Sequence, residues 1–538
     1  MARITVDGIE VDVPDGINAI EAAKAAGVHV PHFCYHPSLS IVGQCRMCLV
    51  EIEGVPKLQV ACATTIRDGM KLAVWNEKVD KARKGQMEFL LINHPLDCPI
   101  CDKAGECPLQ DYSFNYGTVT SRYGEPKRTY PGMDRTAIGP HVLQNMNRCI
   151  HCTRCIRFTE EITGTSELAF FKRGASTEVG IFPGVPIDNW MSACVTDLCP
   201  TGALTTREFR FESRVWNLDN TDSVCNGCDV GCNLFIGQRS GKIYRYRPRV
   251  NEDVNDHWLC DYGRFSYERY DVDRFVVPKI DRDGYLGVST WDEAFELVAG
   301  KIQDASPENI AVIASAQMTN EEGFLLRQLF VDQIGTKNVD VMVDPIGPIR
   351  MKSRTEWLTG TQAGPNLRGL RDVGVGPAPD GRKATDFMDN GAEGVEVLYI
   401  CETNFSERTR DPRVVANLRQ AKFLVVHAWE NHPLTEVADV VLPSTIFAEK
   451  SGTYTNVQGR VQRIAQAYPP KGQARTDLDI FQRLSAWLQG KTGAIHTADA
   501  ESLFEELRAS VPAFRQMRWD EAGQFGMIAG GGSAESAT

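Results

Sequence analysis

Cys149-Ile150-His151-Cys152-Thr153-Arg154-Cys155 is the stretch from which the rest of this chain is read. Three cysteines at two-residue intervals suit one face of a cubane iron–sulfur cluster better than a tetrahedral zinc. The distribution of the other cysteines agrees. The 538-residue chain holds 17 of them, and all but Cys401 lie before residue 261. The opening Met1–Asp7 has no apolar export signal. In a reducing compartment such thiols serve as metal ligands or redox groups rather than as a disulfide framework.

The triad lacks its local fourth ligand. In the run C-x2-C-x2-C-x3-C-P of two-cluster bacterial ferredoxins, the last cysteine ligates the other cluster. Thr159 holds that position here, and the Cys-Pro pair occurs later, at Cys199-Pro200. Counting back from Cys199 puts Val195, Ser192 and Asn189 at the places of a second triad. A triad has been lost and its crossed ligand kept. Cys149, Cys152, Cys155 and Cys199 are therefore expected to hold one [4Fe–4S] cluster, with Cys194, one residue out of register, a buried thiol.

Three further tetrads lie on either side. Cys34, Cys45, Cys48 and Cys62 are spaced C-x10-C-x2-C-x13-C, the plant-type [2Fe–2S] pattern with a longer first loop. His94, Cys98, Cys101 and Cys107 form H-x3-C-x2-C-x5-C. This set fits a [4Fe–4S] cluster or a zinc site of three cysteines and a histidine, and His94 alone is also compatible with a place beside the ligands rather than among them. Cys225, Cys228, Cys232 and Cys260, as C-x2-C-x3-C-x27-C, favour a third [4Fe–4S] cluster with structural zinc as the alternative. Four sets use fifteen cysteines and one histidine as iron ligands. Only Cys194 and Cys401 are left over.

Hydrophobic content of 42% and charged content of 24% describe a globular chain. Its length leads us to expect roughly three or four domains. A net charge of -12 argues against a nucleic-acid partner. No segment approaches the ~18 apolar residues of a membrane-spanning helix, so any membrane association is expected through partners. Asp7-Gly8 between Arg3–Val6 and Glu10–Val13 predicts a hairpin. Ile17–Ala26 and Lys78–Asn93 read as helices, and Pro95 separates His94 from the second. After about residue 275, strands at Asn309–Ser315, Val395–Cys401 and Phe423–His427 alternate with helical stretches such as Asn320–Ile334. That alternation predicts a doubly wound α/β sheet. Residues 360–394 are Gly-, Pro- and Asp-rich and read as a surface loop or insertion. The tail from Gly523 reads as disordered. Gly374-Val375-Gly376 and Gly490-Lys491-Thr492 both fail as nucleotide motifs, since Pro379 and Ser485 stand where glycines are needed.

These motifs, in this order, resemble the iron–sulfur G subunit of bacterial complex I, the proton-translocating NADH:quinone oxidoreductase. The resemblance rests on Val30–His36, Gly43–Cys48, His94–Cys107 and Cys199–Leu204. It also rests on Glu436–Pro443 with Glu449–Arg460, which look like the molybdopterin-oxidoreductase fold. It implies a multidomain α+β then α/β chain. The expected units are a [2Fe–2S] ferredoxin-like domain (1–77), a [4Fe–4S] domain with one histidine and three cysteine ligands (78–120) and a ferredoxin-type [4Fe–4S] domain (139–215). A molybdopterin-oxidoreductase-type [4Fe–4S] domain (218–275), an α/β domain without that cofactor (276–522) and a tail (523–538) follow. The stretch after residue 275 is shorter than in many members, so an abbreviated C-terminal fold is expected.

The resemblance further implies one [2Fe–2S] and three [4Fe–4S] clusters, with no molybdenum, flavin or nucleotide on this chain. Electrons would arrive from flavin-bearing, NADH-oxidising subunits and pass the middle cubane (Cys149, Cys152, Cys155, Cys199). They would leave through the His94 cubane toward quinone-site connecting subunits, with the Cys225 set off the path. The expected location is the cytoplasmic face of the inner membrane, as a peripheral part of a complex. A molybdopterin-dependent formate dehydrogenase, an electron-transfer component of an NAD-reducing hydrogenase and a zinc-stabilised scaffold are the alternatives. Cys401 is the sole cysteine in the α/β half and reads as a buried thiol.

Overall fold

Asp7 and Gly8 both take left-handed backbone, φ 46° and 84°, as a primed two-residue hairpin turn requires. The strands Ala2–Val6 and Ile9–Val13 accordingly pair antiparallel, with Ala2 opposite Val13. They belong to a five-stranded sheet ordered Ile9–Val13, Ala2–Val6, Lys71–Ala73, Leu49–Ile52, Gln59–Val60. The helix Ala19–Ala25 starts where the Asn18 side chain accepts the amides of Ile20 and Glu21, a cap worth about 1 kcal/mol. It buries Ala19, Ile20, Ala22 and Ala23 against Ile4, Val6, Cys48 and Cys62.

The computed structural model describes residues 1–270, 272–401, 407–493 and 495–529. The chain divides into two units, Met1–Leu218 and Asp219–Thr538. In the first, the helix Glu77–Leu91 ends before His94 and is followed by the helix Pro108–Tyr116. Short strands and turns then carry the cysteine-rich segment. The Leu204–Thr206, Val142–Gln144 and Thr136–Ala137 strands form a small sheet beside it.

The second unit begins with a three-stranded antiparallel sheet, Asp219–Val224, Asn233–Arg239 and Lys242–Pro248. Its main body is a seven-stranded sheet. Five parallel strands run side by side as Val440–Pro443, Phe423–Ala428, Val397–Ile400, Ile310–Ser315 and Asn338–Met342. An antiparallel pair, Lys279–Arg282 and Tyr285–Val288, extends the Val440 edge. Every residue of Ile310–Ser315 and Phe423–Ala428 is buried, because helices cover both faces. One face packs on Phe295 and Val298 of the helix Trp291–Asp304 and on Phe481 and Leu484 of the helix Asp477–Leu488. The other packs on Phe387 and Met388 and on Val414 and Leu418. The fold is the doubly wound type that the alternation predicts.

Two sequence readings need correction. Residues 360–394 are not a surface loop: they contain the helices Leu367–Asp372 and Ala384–Asn390. Leu370, Val373 and Val375 enter one core cluster, and Phe387 and Met388 the other. The tail is also ordered at its start, since Met527–Ile528 pairs with Arg460 and Val461. The remainder of that reading, from residue 530, lies outside the described residues.

Candidate iron–sulfur centres

The first set forms two thiol pairs. Cys34 is hydrogen-bonded by the Cys45 thiol, which, with the amides of Cys45 and Gln44 and the charge of Arg157, holds its pKa below the usual thiol value against burial. Cys62 is lowered first by its hydrogen bond from Cys48. Their partners Cys45 and Cys48 are correspondingly raised. All four are buried. Ala61 donates its amide to the Cys48 carbonyl at 3.0 Å, which closes the loop between the second pair. Two pairs of sulfurs match a centre with two irons, each taking two thiolates.

In the second set, His94, Cys98 and Cys107 line one cavity of the first unit. Cys101 feels the charge of Cys98, and Cys107 that of Cys101. The His94 ring is pushed down to about 4, chiefly by burial and then by Arg148 and Lys127, so the imidazole is neutral. Its Nδ1 is buried without a hydrogen-bond partner. A buried orphan nitrogen is costly, and a metal centre would satisfy it. Gly202 meets this set from the next: a Cβ added there would fall 2.2 Å from the Cys101 sulfur. The Cys107 thiol also donates to the Pro200 carbonyl at 3.5 Å.

In the third set Cys152 and Cys199 are buried and Cys149 and Cys155 partly so. Cys149, Cys152, Cys155 and Cys199 all line one cavity, closed by Gln144, Ile150, Val179 and Leu204. Burial raises Cys149 and Cys155 and pushes Cys152 up to about 11. His151 and Thr153, between the ligands, adopt left-handed φ of 55° and 65°. That conformation is uncommon for residues with a side chain, and it lets the loop curl back on itself. Cys194 opens the helix Cys194–Leu198 and is buried, as expected.

The fourth set lies in the second unit. A Cβ on Gly263 would lie 2.7 Å from the Cys225 sulfur and 3.5 Å from that of Cys260, so the bare glycine backbone is what lets these two approach. Burial raises Cys228, and the charges of Cys260 and Cys225 add to it. The amides of Gly227 and Gly263 donate to the sulfurs of Cys225 and Cys260, each at 3.4 Å. Cys232 is buried, and its carbonyl accepts the Cys225 amide at 2.7 Å. Among the described residues, no three His, Cys, Asp or Glu side chains converge to grip a single ion.

The sequence reading missed the cations. Arg148 is paired with Asp97 at 2.9 Å beside the second set. Arg154 and Arg157 stand between the first and third sets, and their only sequence signal is their interleaving with the cysteines.

Grouped, mostly buried thiols with a neutral imidazole, amide donors and bare glycine contacts, together with a doubly wound half, define an iron–sulfur protein of the electron-transfer class. Family models match in register with this. Residues 1–77 match a 2Fe-2S iron-sulfur cluster binding domain. Residues 83–122 match the NADH-ubiquinone oxidoreductase-G iron-sulfur binding region, and 139–205 the ferredoxin-like domain of NADH-quinone oxidoreductase subunit 3. Residues 218–268 match an NDSU1/NuoG-like 4Fe-4S domain and 360–487 the molybdopterin oxidoreductase family. The G subunit of NADH-quinone oxidoreductase from Rickettsia conorii is 30% identical over 91% of this chain and 88% of its own length. The 75 kDa subunit of NADH-ubiquinone oxidoreductase from Reclinomonas americana is 30% identical over 91% and 89%. The G subunit from Rickettsia felis is 42% identical over 63% of this chain, a match spanning 50% of that relative. A chain of an NAD+-reducing [NiFe]-hydrogenase structure covers 40% of this chain at 28% identity, with a TM-score of 0.36.

The chain belongs to the G-subunit family of NADH-quinone oxidoreductase, the iron–sulfur electron-relay subunits within the multisubunit complex I. No helix among the described residues is long and apolar enough to cross a membrane.

Proposed function

We propose that the four sets hold one [2Fe–2S] and three [4Fe–4S] clusters, with all sixteen residues as iron ligands. The Cys34 set and the Cys149 set receive electrons from a flavin-bearing, NADH-oxidising subunit. The His94 set passes them on to a quinone-site connecting subunit. Each step moves one electron between neighbouring centres and makes or breaks no bond. The protein's part is to position the centres and set their potentials.

The observation that carries this order is a single apolar cluster holding Phe33, Cys34, Cys45, Met47, Met87, Cys107 and Cys152. Ligands of the first, third and second sets pack in it together. The Arg157 Nη2 atom donates to the carbonyls of both Cys34 and Cys152. On the other side, Pro200 and Gly202 reach Cys107 and Cys101. Contacts from the third set to both of the others support its reading as the middle centre. Beside the second set, Leu96 is 89% exposed, and Phe89, Ile100, Phe114 and Val119 are also exposed. Such an apolar rim suits a docked partner, and we assign the connecting subunit to it. The Cys225 set is a side centre in this reading. The complex would hold the chain at the cytoplasmic face of the membrane.

Low-temperature EPR of the reduced protein, with metals counted on the same sample, tests this. One binuclear and three cubane centres require about fourteen irons per chain and no molybdenum. Zinc without iron would make the chain a scaffold. One molybdenum per chain with formate-dependent dye reduction would make it a dehydrogenase.

A further inference from the structure

Arg154 and Arg157 are the first and last residues of the short helix Arg154–Arg157, which follows Cys152 and contains Cys155. Arg157 is 5% exposed. Its Nη2 donates to the Cys34 carbonyl at 2.5 Å and the Cys152 carbonyl at 3.4 Å, its Nε to Thr153 Oγ1 at 3.1 Å, and its Nη1 to the Ser40 carbonyl. Half-buried Arg154 donates from Nη2 to the Tyr35 carbonyl and from Nη1 to the Leu198 carbonyl at 3.4 Å. Each guanidinium therefore reaches a residue in or beside the first set and another in or beside the third.

Their electrostatics are unusual. Among the described residues, neither guanidinium is paired with a carboxylate. The Arg154 Nε is buried with no hydrogen-bond partner. Carbonyl oxygens satisfy N–H groups but not the charge, and an uncompensated buried cation is costly. Besides Arg157, which opposes it, the charges that act on Arg154 are those of the Cys152, Cys34 and Cys45 sulfurs, one from the third set and two from the first. An iron–sulfur centre with four thiolates is a net anion, and each added electron makes it more so.

We propose that Arg154 and Arg157 are positioning residues that form one cationic bridge between the binuclear centre and the middle cubane. The bridge raises both potentials together and lets the two neighbours stay reduced at the same time. This rests on the ligand reading above. Each centre takes up one electron and no bond changes.

The test is potentiometric EPR on the assembled complex. In Arg157→Gln, both midpoints should fall by about tenfold in the reduction equilibrium, about 59 mV for a one-electron couple, while the His94 centre stays put. Arg154→Gln should act in the same direction. Arg157→Lys keeps the charge but not the fork, so it should restore most of the shift. Unmoved midpoints in both Gln variants with full iron would overturn the bridge. So would Lys variants as defective as Gln, which would make the role a tether alone. If the Gln variants lose the clusters but the Lys variants keep them at near-native potentials, the charge is confirmed as the active feature. Absence of the two neighbouring signals in the unaltered complex would instead overturn the ligand reading.

Discussion

Gly202 sits so close to Cys101 that a Cβ built on it falls 2.2 Å from the Cys101 sulfur. It lies three residues after Cys199, so a segment of the third set presses directly on a ligand of the second. Its backbone φ is not in the left-handed region, and alanine is excluded by space rather than by conformation. Gly202→Ala should displace Cys101 and cost the His94 centre, about four irons per chain, with the binuclear signal intact. Iron analysis and EPR read this directly. Native spectra would show that the loop yields instead.

His94→Cys should keep a cluster and lower its potential. The His94 ring is neutral and buried with an orphan Nδ1, and a thiolate in its place adds one negative charge to the centre. Histidine ligation raises cluster potentials where it replaces cysteine. A midpoint that does not move would place His94 beside the centre rather than on it.

Cysteine spacing is local, which is what allowed the four groups to be proposed from sequence: Cys98–Cys107, Cys149–Cys155 and Cys225–Cys232 are short stretches, and Cys45 and Cys48 have two residues between them. The parallel strands were legible for a similar reason, as short apolar runs such as Phe423–Ala428 announce burial on both faces. Residues 360–394 misled because glycine and proline mask the helix signal, which survives in buried Leu370, Val373, Phe387 and Met388. The cationic contacts were out of reach. Arg154 meets Tyr35 across 119 residues and Arg157 meets Cys34 across 123, and no local pattern encodes such a meeting.

Cys155→Ser should break the relay in its middle. In the assembled complex, NADH-to-quinone turnover should stop while reduction of an artificial acceptor at the flavin survives. Cys155 lines the same cavity as Cys149, Cys152 and Cys199, so the loss should be confined to that centre. Full quinone turnover in an assembled variant would remove the third set from the electron path.

Glu321 gives the α/β half a distinctive pH dependence. The side chain is fully buried, and its carboxylate accepts the Thr453 amide at 2.8 Å and the Thr453 hydroxyl at 2.6 Å. Burial outweighs these bonds and pushes it from 4.5 up to about 7. Between those values the folded state binds the proton that the unfolded state has released. Its contribution is therefore full below pH 4.5 and is lost as pH rises toward 7, at about 1.4 kcal/mol per unit or about 3 kcal/mol in all. Glu321→Gln carries no titrating group. Its urea stability should therefore gain on the unaltered protein by that amount between pH 4.5 and 7.5, and the difference should be flat above. Parallel curves for the two proteins over this range would mean that Glu321 is already ionised in the fold.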